Sequence, residues 1–86
     1  MAMTVKVLFF AGLREALGVA SETVTLSEEM ATVGHLRDAL AARGGNWSVL
    51  LSTRNLRAAV NQQMVGFEAP LQAGDEVAFF PPVTGG

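Results

Sequence analysis

The sequence predicts a small α+β domain, a mixed β-sheet with one main helix packed on one face. Three observations predict this class: β-branched and aromatic segments near both ends of the chain, a helical hydrophobic period between them, and a length of 86 residues, half of them hydrophobic. A chain of this length supports one hydrophobic core but not two. Because the first and last strand segments are the most hydrophobic, we expect them side by side in the middle of the sheet.

The strands are predicted from short segments that are rich in β-branched and aromatic residues or that alternate between apolar and polar residues. They cover residues 4–10, 21–26, 56–61, 64–65 and 76–80. Residues 61–63 are the expected turn between the third and fourth strands. A crossover through the helix then joins the second strand to the later ones.

The main helix is predicted at residues 32–43, with Thr32 as its N-cap and two glycines after it. Its apolar residues recur at helical spacing: Val33, Leu36 and Leu40. Shorter helical segments are expected at residues 13–18 and 46–53, the second with Trp47 as an anchor in the core. A short strand is the alternative for residues 46–53.

Alternation along the strands separates a face covered by the helix from an open face. We expect the covered face to hold Val5, Val7, Phe9, Leu56, Ala58, Val60, Val77 and Phe79. On the open face, an exposed apolar patch is predicted from Leu8, Phe10, Ala59 and Phe80. Exposed patches of this kind commonly mark partner surfaces. The alternative is a parity shifted by one residue, which would make all four residues ordinary core.

The end of the chain is predicted to be an extended tail, residues 81–86, on a folded domain of residues 1–80. Two prolines lack amide donors, so the last strand cannot extend its hydrogen bonds through them. The tail spans at most about 20 Å. Its residues are Pro81, Pro82, Val83 and Thr84, which we expect to contact a partner, and Gly85 and Gly86, which would fit a narrow channel. The alternative is a frayed terminus without a function.

Composition argues against several classes of function. The net charge is −2 at pH 7, and the six Lys and Arg residues are scattered, so nucleic acid is a poor candidate partner. No segment has the length and hydropathy of a membrane span, and we expect a cytoplasmic protein without a membrane partner. The absence of cysteine excludes thiolate metal sites and a cysteine that carries sulfur.

Few other residues are candidates for a site. His35 has no second ligand at metal-binding spacing, so a solvated histidine is expected and no metal site. Asp75 and Glu76 are adjacent carboxylates, but Gly-Asp is ordinary turn chemistry and neighbouring strand residues point apart. The five arginines are expected to be solvated: Arg14, Arg37, Arg43, Arg54 and Arg57. Arg14 and Arg57 are also candidates for the rim of a partner surface.

Four segments resemble the ubiquitin-like, β-grasp family of sulfur carriers, and in particular the small subunits of molybdopterin synthases. They are residues 6–11 with Arg14 and Glu15, residues 32–33 with Leu36 and Arg37, residues 59–62, and residues 74–86. The resemblance covers nearly the whole chain, and the ending Phe-Phe-Pro-Pro-Val-Thr-Gly-Gly is its most specific part. This chain departs from the family only by a few residues before Lys6 and by a Gly-Gly-Asn loop.

The resemblance implies a sulfur carrier that is not itself catalytic. Its Gly86 would be adenylylated by a partner, an adenylyltransferase similar to ubiquitin-activating enzymes, and then converted to a thiocarboxylate. ATP and Mg²⁺ would be used by that enzyme, and this chain would bind no cofactor. Gly85 and Gly86 would enter a large catalytic subunit, which uses the sulfur to form the dithiolene of molybdopterin.

The residues support the same chemistry. An α-carboxylate is an anion near neutral pH and a poor electrophile, so it must be activated before sulfur can attack it. The sequence contains no P-loop or Gly-x-Gly-x-x-Gly motif, so the activating site is expected on another protein. Three alternatives stay open: a sulfur carrier for thiamine biosynthesis, a ubiquitin-like protein modifier, and a binding module with an idle tail.

Overall fold

The fold is described by a computed structural model that covers residues 2–82, apart from the side chain of Met30. Five strands form the sheet: β1 (Ala2–Phe9), β2 (Ser21–Ser27), β3 (Arg57–Val60), β4 (Gln63–Val65) and β5 (Glu76–Phe80). Three α-helices accompany it: α1 (Ala11–Leu17), α2 (Val33–Ala41) and α3 (Val49–Ser52). Short 3₁₀ turns lie at Glu28–Met30 and Gly45–Ser48.

The strands form one mixed sheet in the order β2-β1-β5-β3-β4. Strands β1 and β5 are parallel neighbours in the middle, and the other three pairs are antiparallel. This confirms the predicted fold class and the central position of the first and last strands. Because β5 is central, the chain beyond it leaves from the middle of the sheet and not from an edge.

The core lies between the sheet and the helices. Val5, Val7, Phe9, Val77 and Phe79 are at most 1% exposed, which confirms the predicted covered face. The ring of Phe9 is stacked on Phe79 with centroids 6.4 Å apart and meets Trp47 edge-on at 5.6 Å. Trp47 therefore packs against the core, as predicted. Leu36 and Leu40 complete the core from α2.

The N-terminus of α2 is closed by side-chain and main-chain groups. The amide of His35 donates to Thr32 Oγ1 at 3.1 Å, which confirms the predicted N-cap. The amides of Val33 and Gly34 donate to the carbonyls of Ala69 and Phe67 at 3.0 and 2.8 Å. A Cβ on Gly34 would lie 3.1 Å from the same Phe67 oxygen, so this close approach favours glycine.

The hairpin between β3 and β4 is tighter than predicted. Its loop has two residues, Asn61 and Gln62, because Val60 pairs directly with Gln63. Both loop residues have positive φ, +50° and +71°, as a type I′ turn requires. The three-residue turn predicted at 61–63 is therefore wrong, and the difference sets the register of β4.

Asp75 and Asn61 hold this hairpin against the start of β5. Asn61 Nδ2 donates to Asp75 Oδ1 at 3.0 Å, and the amide of Glu76 donates to Asn61 Oδ1 at 3.0 Å. The second oxygen of Asp75 accepts from the amide of Gln72 at 2.8 Å. Asp75 thus has the turn role predicted for it.

Candidate interaction surface and the root of the C-terminal tail

The tail begins at the end of β5, between the start of β3 and the end of β1. The last strand ends at Phe80, which is the register partner of Arg57 on β3. On the other side, the amide of Phe10 donates to the carbonyl of Phe79 at 3.3 Å. Pro81 and Pro82 follow and are half-buried. The remaining tail residues, 83–86, lie outside the described part of the chain, so the predictions for Val83, Thr84, Gly85 and Gly86 stay predictions.

The open face carries a row of apolar residues across four strands. Leu8 is the register partner of Ala78, Ala78 of Ala59, and Ala59 of Met64. Directly opposite residues place their side chains on the same face of a sheet. We call these four residues the apolar row; it lies next to Phe10 and Phe80 at the root of the tail.

Most of the predicted patch is accessible. Phe10 is 46% exposed, and Leu8 and Phe80 are half-buried. Their parity is therefore as predicted, while their role in binding a partner stays a prediction. The expected exposure of Ala59 is wrong, because this residue is only 8% exposed. Its methyl group is short and lies between its register partners Ala78 and Met64.

Met64 is the residue that sequence reasoning missed. It is 59% exposed and extends the apolar row to β4, the edge strand. The missing information was the length of the hairpin loop, since only a two-residue loop pairs Met64 with Ala59. Asn-Gln contains no glycine, so it lacks the sequence signal for two successive residues with positive φ that Asn-Gly provides.

Away from the tail, the open face becomes polar. Lys6 on β1 is the register partner of Glu76 on β5 and of Thr23 on β2. One residue further from the tail on this face, Thr4 pairs with Thr25. The open face thus divides into an apolar half at the root of the tail and a polar half at the opposite end.

A family model described as the ThiS family matches residues 7–86 of the chain. This protein belongs to the ThiS family. The match begins within β1 and runs through the apolar row to the end of the tail. The resemblance to a family of sulfur carriers is confirmed, since a curated relative, the molybdopterin synthase sulfur carrier subunit of Escherichia coli (strain K12), is 49% identical over 82 residues. That alignment covers 95% of this chain and 99% of the relative.

Solved structures agree with the ThiS-family fold. The small archaeal modifier protein 1 of Haloferax volcanii superposes with a TM-score of 0.79 and 27% identity, covering 96% of this chain and 99% of the other. The complex of subunits 1 and 2 of the molybdopterin-converting factor from Helicobacter pylori contains a chain with a TM-score of 0.63 and 26% identity. That alignment covers 98% of this chain and 100% of the other.

The remaining predicted candidates do not form a second site in this ThiS-family protein. His35 is exposed, and its Nδ1 lies 2.7 Å from Thr32 Oγ1. Among residues 2–82, no cluster of three or more His, Asp or Glu side chains is placed to hold a metal ion. Arg14, Arg43, Arg54 and Arg57 are exposed, as predicted. The solvated position predicted for Arg37 is wrong, because this residue is half-buried and packs over the ring of Phe67.

The helices of the family member are short. In the part of the chain that the structure describes, none of them is long and apolar enough to cross a membrane. The predicted cytoplasmic location stays a prediction.

Proposed function

We propose that this chain is the sulfur-carrier subunit of molybdopterin synthase and that Gly86 carries the sulfur as a thiocarboxylate. One observation supports this most strongly: the central strand β5 directs the tail out of the middle of the sheet, beside an accessible apolar surface. The 49% identical relative is named as a molybdopterin synthase sulfur carrier subunit, and the alignment covers nearly all of both chains.

The chemistry follows from the chain end. The carboxylate of Gly86 attacks the α-phosphorus of ATP on an adenylyltransferase, and pyrophosphate leaves. A hydrosulfide-equivalent nucleophile then attacks the acyl carbon, AMP leaves, and a C–S bond remains on Gly86. No side chain of this subunit takes part, which agrees with the lack of cysteine.

The folded body serves to present the tail. The apolar half of the open face docks on the large catalytic subunit, and the Pro81-Pro82 segment holds the tail away from the body. Because glycine has no side chain, the last two residues fit a narrow channel that leads to the pterin precursor. A structural neighbour solved as a complex of two converting-factor subunits supports a large-subunit partner.

The test is reconstitution with a candidate adenylyltransferase, ATP, Mg²⁺ and a sulfur donor, followed by intact mass. We expect a gain of about 16 Da, from oxygen replaced by sulfur, in the C-terminal peptide. Deleting Gly86, or adding one alanine after it, should abolish both this gain and molybdopterin formation with the large subunit.

A matched control carries the extra alanine at the N-terminus. Since β1 and β5 are parallel neighbours, the N-terminus enters the sheet at the end opposite to the root of the tail. The control should keep full sulfur transfer. Sulfur transfer that survives an altered C-terminus would refute the proposal.

A protein modifier is a second candidate, because the archaeal modifier protein shares the fold over nearly its whole length. The same reconstitution separates the two. A modifier gives a covalent conjugate in which Gly86 is joined to a lysine of another protein, whereas a sulfur carrier gives the free thiocarboxylate. A carrier for thiamine biosynthesis would form the thiocarboxylate but fail to support molybdopterin formation.

A further inference from the structure

One cation emerges from the apolar half of the open face. Arg57 is the first residue of β3 and the register partner of Phe80, so its side chain leaves the sheet on the same face as Phe80. It is exposed. A partner that covers Phe80 therefore also covers at least the stem of Arg57.

Arg57 differs from two other arginines, whose side chains are paired within the fold. Arg43 pairs with Glu22 and lies 4.5 Å from the centre of the Trp47 ring. Arg37 pairs with Asp38 and lies over an aromatic ring in the same way. Within residues 2–82, Arg57 has neither an ion-pair partner nor an aromatic ring beneath it.

A groove continues the surface from Arg57 to the edge of the sheet. Its walls are formed by Arg57 and Met64 from the open face and by Leu56 and Phe67 from the side of the helices. The remaining lining residues belong to β3, β4 and the residue after β4. A protein segment lying along the apolar row therefore has a recess at its end with a guanidinium in the wall.

The surroundings limit what can occupy this recess. An apolar partner surface would strip water from Arg57 without replacing its hydrogen bonds, and an unpaired buried charge is costly. A carboxylate satisfies the planar guanidinium through two parallel hydrogen bonds, which fixes its position as well as its charge. Charge pairs within an interface contribute more to specificity than to affinity.

We propose that Arg57 is a specificity-determining residue for the large catalytic subunit, whose surface places an Asp or Glu side chain, flanked by apolar residues, against Arg57 beside the root of the tail. This inference rests on the proposed function, since it assumes that the large subunit covers the apolar half of the open face. The inference predicts a carboxylate on the partner surface. Binding of the tail and of the apolar row would not by itself call for that carboxylate.

The test measures binding of the large subunit to the wild-type chain and to Arg57→Leu, Arg57→Lys and Arg57→Glu at low and high salt. We expect Arg57→Leu to weaken binding about tenfold or more, since it leaves the partner's carboxylate unpaired, and Arg57→Glu to weaken it further. Arg57→Lys keeps the charge but loses the two-pronged geometry, so its affinity should be intermediate. The salt dependence of binding should be smaller for Arg57→Leu than for the wild type.

The matched control is Arg54→Glu, which makes the same change of charge at an exposed position just before β3. It should change affinity less than about threefold. Thermal unfolding of every variant checks the fold, because an exposed side chain without partners should leave the melting temperature unchanged.

The outcomes separate this inference from the proposed function. If wild-type chain binds the large subunit and Arg57→Leu binds as well or better, the inference is overturned while the function stands. The inference is also overturned if Arg57→Glu impairs only the reaction with the adenylyltransferase and leaves binding of the large subunit unchanged. The carboxylate that pairs with Arg57 would then lie on the adenylyltransferase. If the wild-type chain does not bind the large subunit at all, the proposed function fails first.

Discussion

The two faces of the sheet are built from the same strands but are used differently. On the covered face, Val7, Val77 and Phe79 are fully buried, and the ring of Phe9 packs against those of Phe79 and Trp47. On the open face, the alternating residues other than Ala59 are half-buried or exposed, and their character changes from apolar to polar with distance from the tail. Successive residues of one strand thus differ in exposure: one packs in the core and the next remains accessible to a partner.

The two faces also differ in how their charged side chains are paired. Glu22 is the register partner of Val7, so it lies at the margin of the covered face, where it is paired with Arg43. Arg57, on the open face, has no ion-pair partner within residues 2–82. The covered face therefore satisfies its charges internally, whereas the open face leaves a cation available to a second protein.

The largest expected effect is a difference in the free energy of unfolding between substitutions at two adjacent phenylalanines, Phe79 and Phe80. Phe79→Ala should lower the free energy of unfolding by about 3 to 5 kcal/mol, because it removes a fully buried ring from the core. Phe80→Ala, at a half-buried position of the open face, should cost about 1 kcal/mol. Urea denaturation measures both. Equal losses would mean that the open face is part of the core.

If Phe79→Ala does not fold, Phe79→Leu provides the comparison, since it keeps most of the buried volume. It should cost about 1.5 kcal/mol or less. It should also leave binding of the large subunit at the wild-type value, because Phe79 does not reach the surface.

The second effect concerns recognition. The double substitution Phe10→Ala and Phe80→Ala should weaken binding of the large subunit by about 100-fold, as expected when aromatic anchors at an interface are truncated. The affinity is measured by calorimetry with the separately purified subunits. The two substitutions test whether the apolar half of the open face is the docking surface.

A matched control for this double variant lies on the polar half of the same face. Thr23→Ala and Thr25→Ala change two exposed residues of β2 and should leave affinity within about twofold of the wild type. Equal weakening by both pairs of substitutions would show that the whole face binds. No weakening by the phenylalanine pair would show that the tail binds alone.

The smallest effect lies in the charged pair at the margin of the covered face. The hydrogen bond from Arg43, together with its charge, lowers the pKa of the Glu22 carboxyl below its ordinary value of 4.5. A carboxyl whose pKa is lowered by folding stabilises the folded state above its unfolded pKa, and this contribution is lost as the pH falls through the lowered value. The pair therefore contributes at neutral pH and not in strong acid.

Glu22→Gln should consequently reduce the free energy of unfolding at pH 7 by at most about 1 kcal/mol, since the pair is partly exposed. Near pH 3, the difference between variant and wild type should shrink, and urea denaturation at both pH values checks this. Glu28→Gln, at an exposed position, is the control and should show no such change. A difference independent of pH would assign the effect to packing instead of charge.

The sequence by itself determined which residues face the helices. Alternation with period two is a local property of a strand, so Val5, Val7 and Phe9 could be assigned to the covered face without knowing their neighbours. The helix with its Thr32 cap and the proline stop after Phe80 are likewise local signals. The resemblance in the last thirteen residues added the family, which the comparison with known proteins confirmed.

Only the tertiary structure decided which open-face residues remain accessible. Ala59 and Met64 are neighbours because a two-residue turn pairs their strands, and that pairing buries one and leaves the other exposed. The lack of an ion pair at Arg57 within residues 2–82 depends in the same way on strands distant in sequence, since Phe80 is its register partner and no described carboxylate lies within ion-pair distance. Orientation is set within a strand, whereas exposure and charge pairing depend on the side chains that neighbouring strands bring alongside.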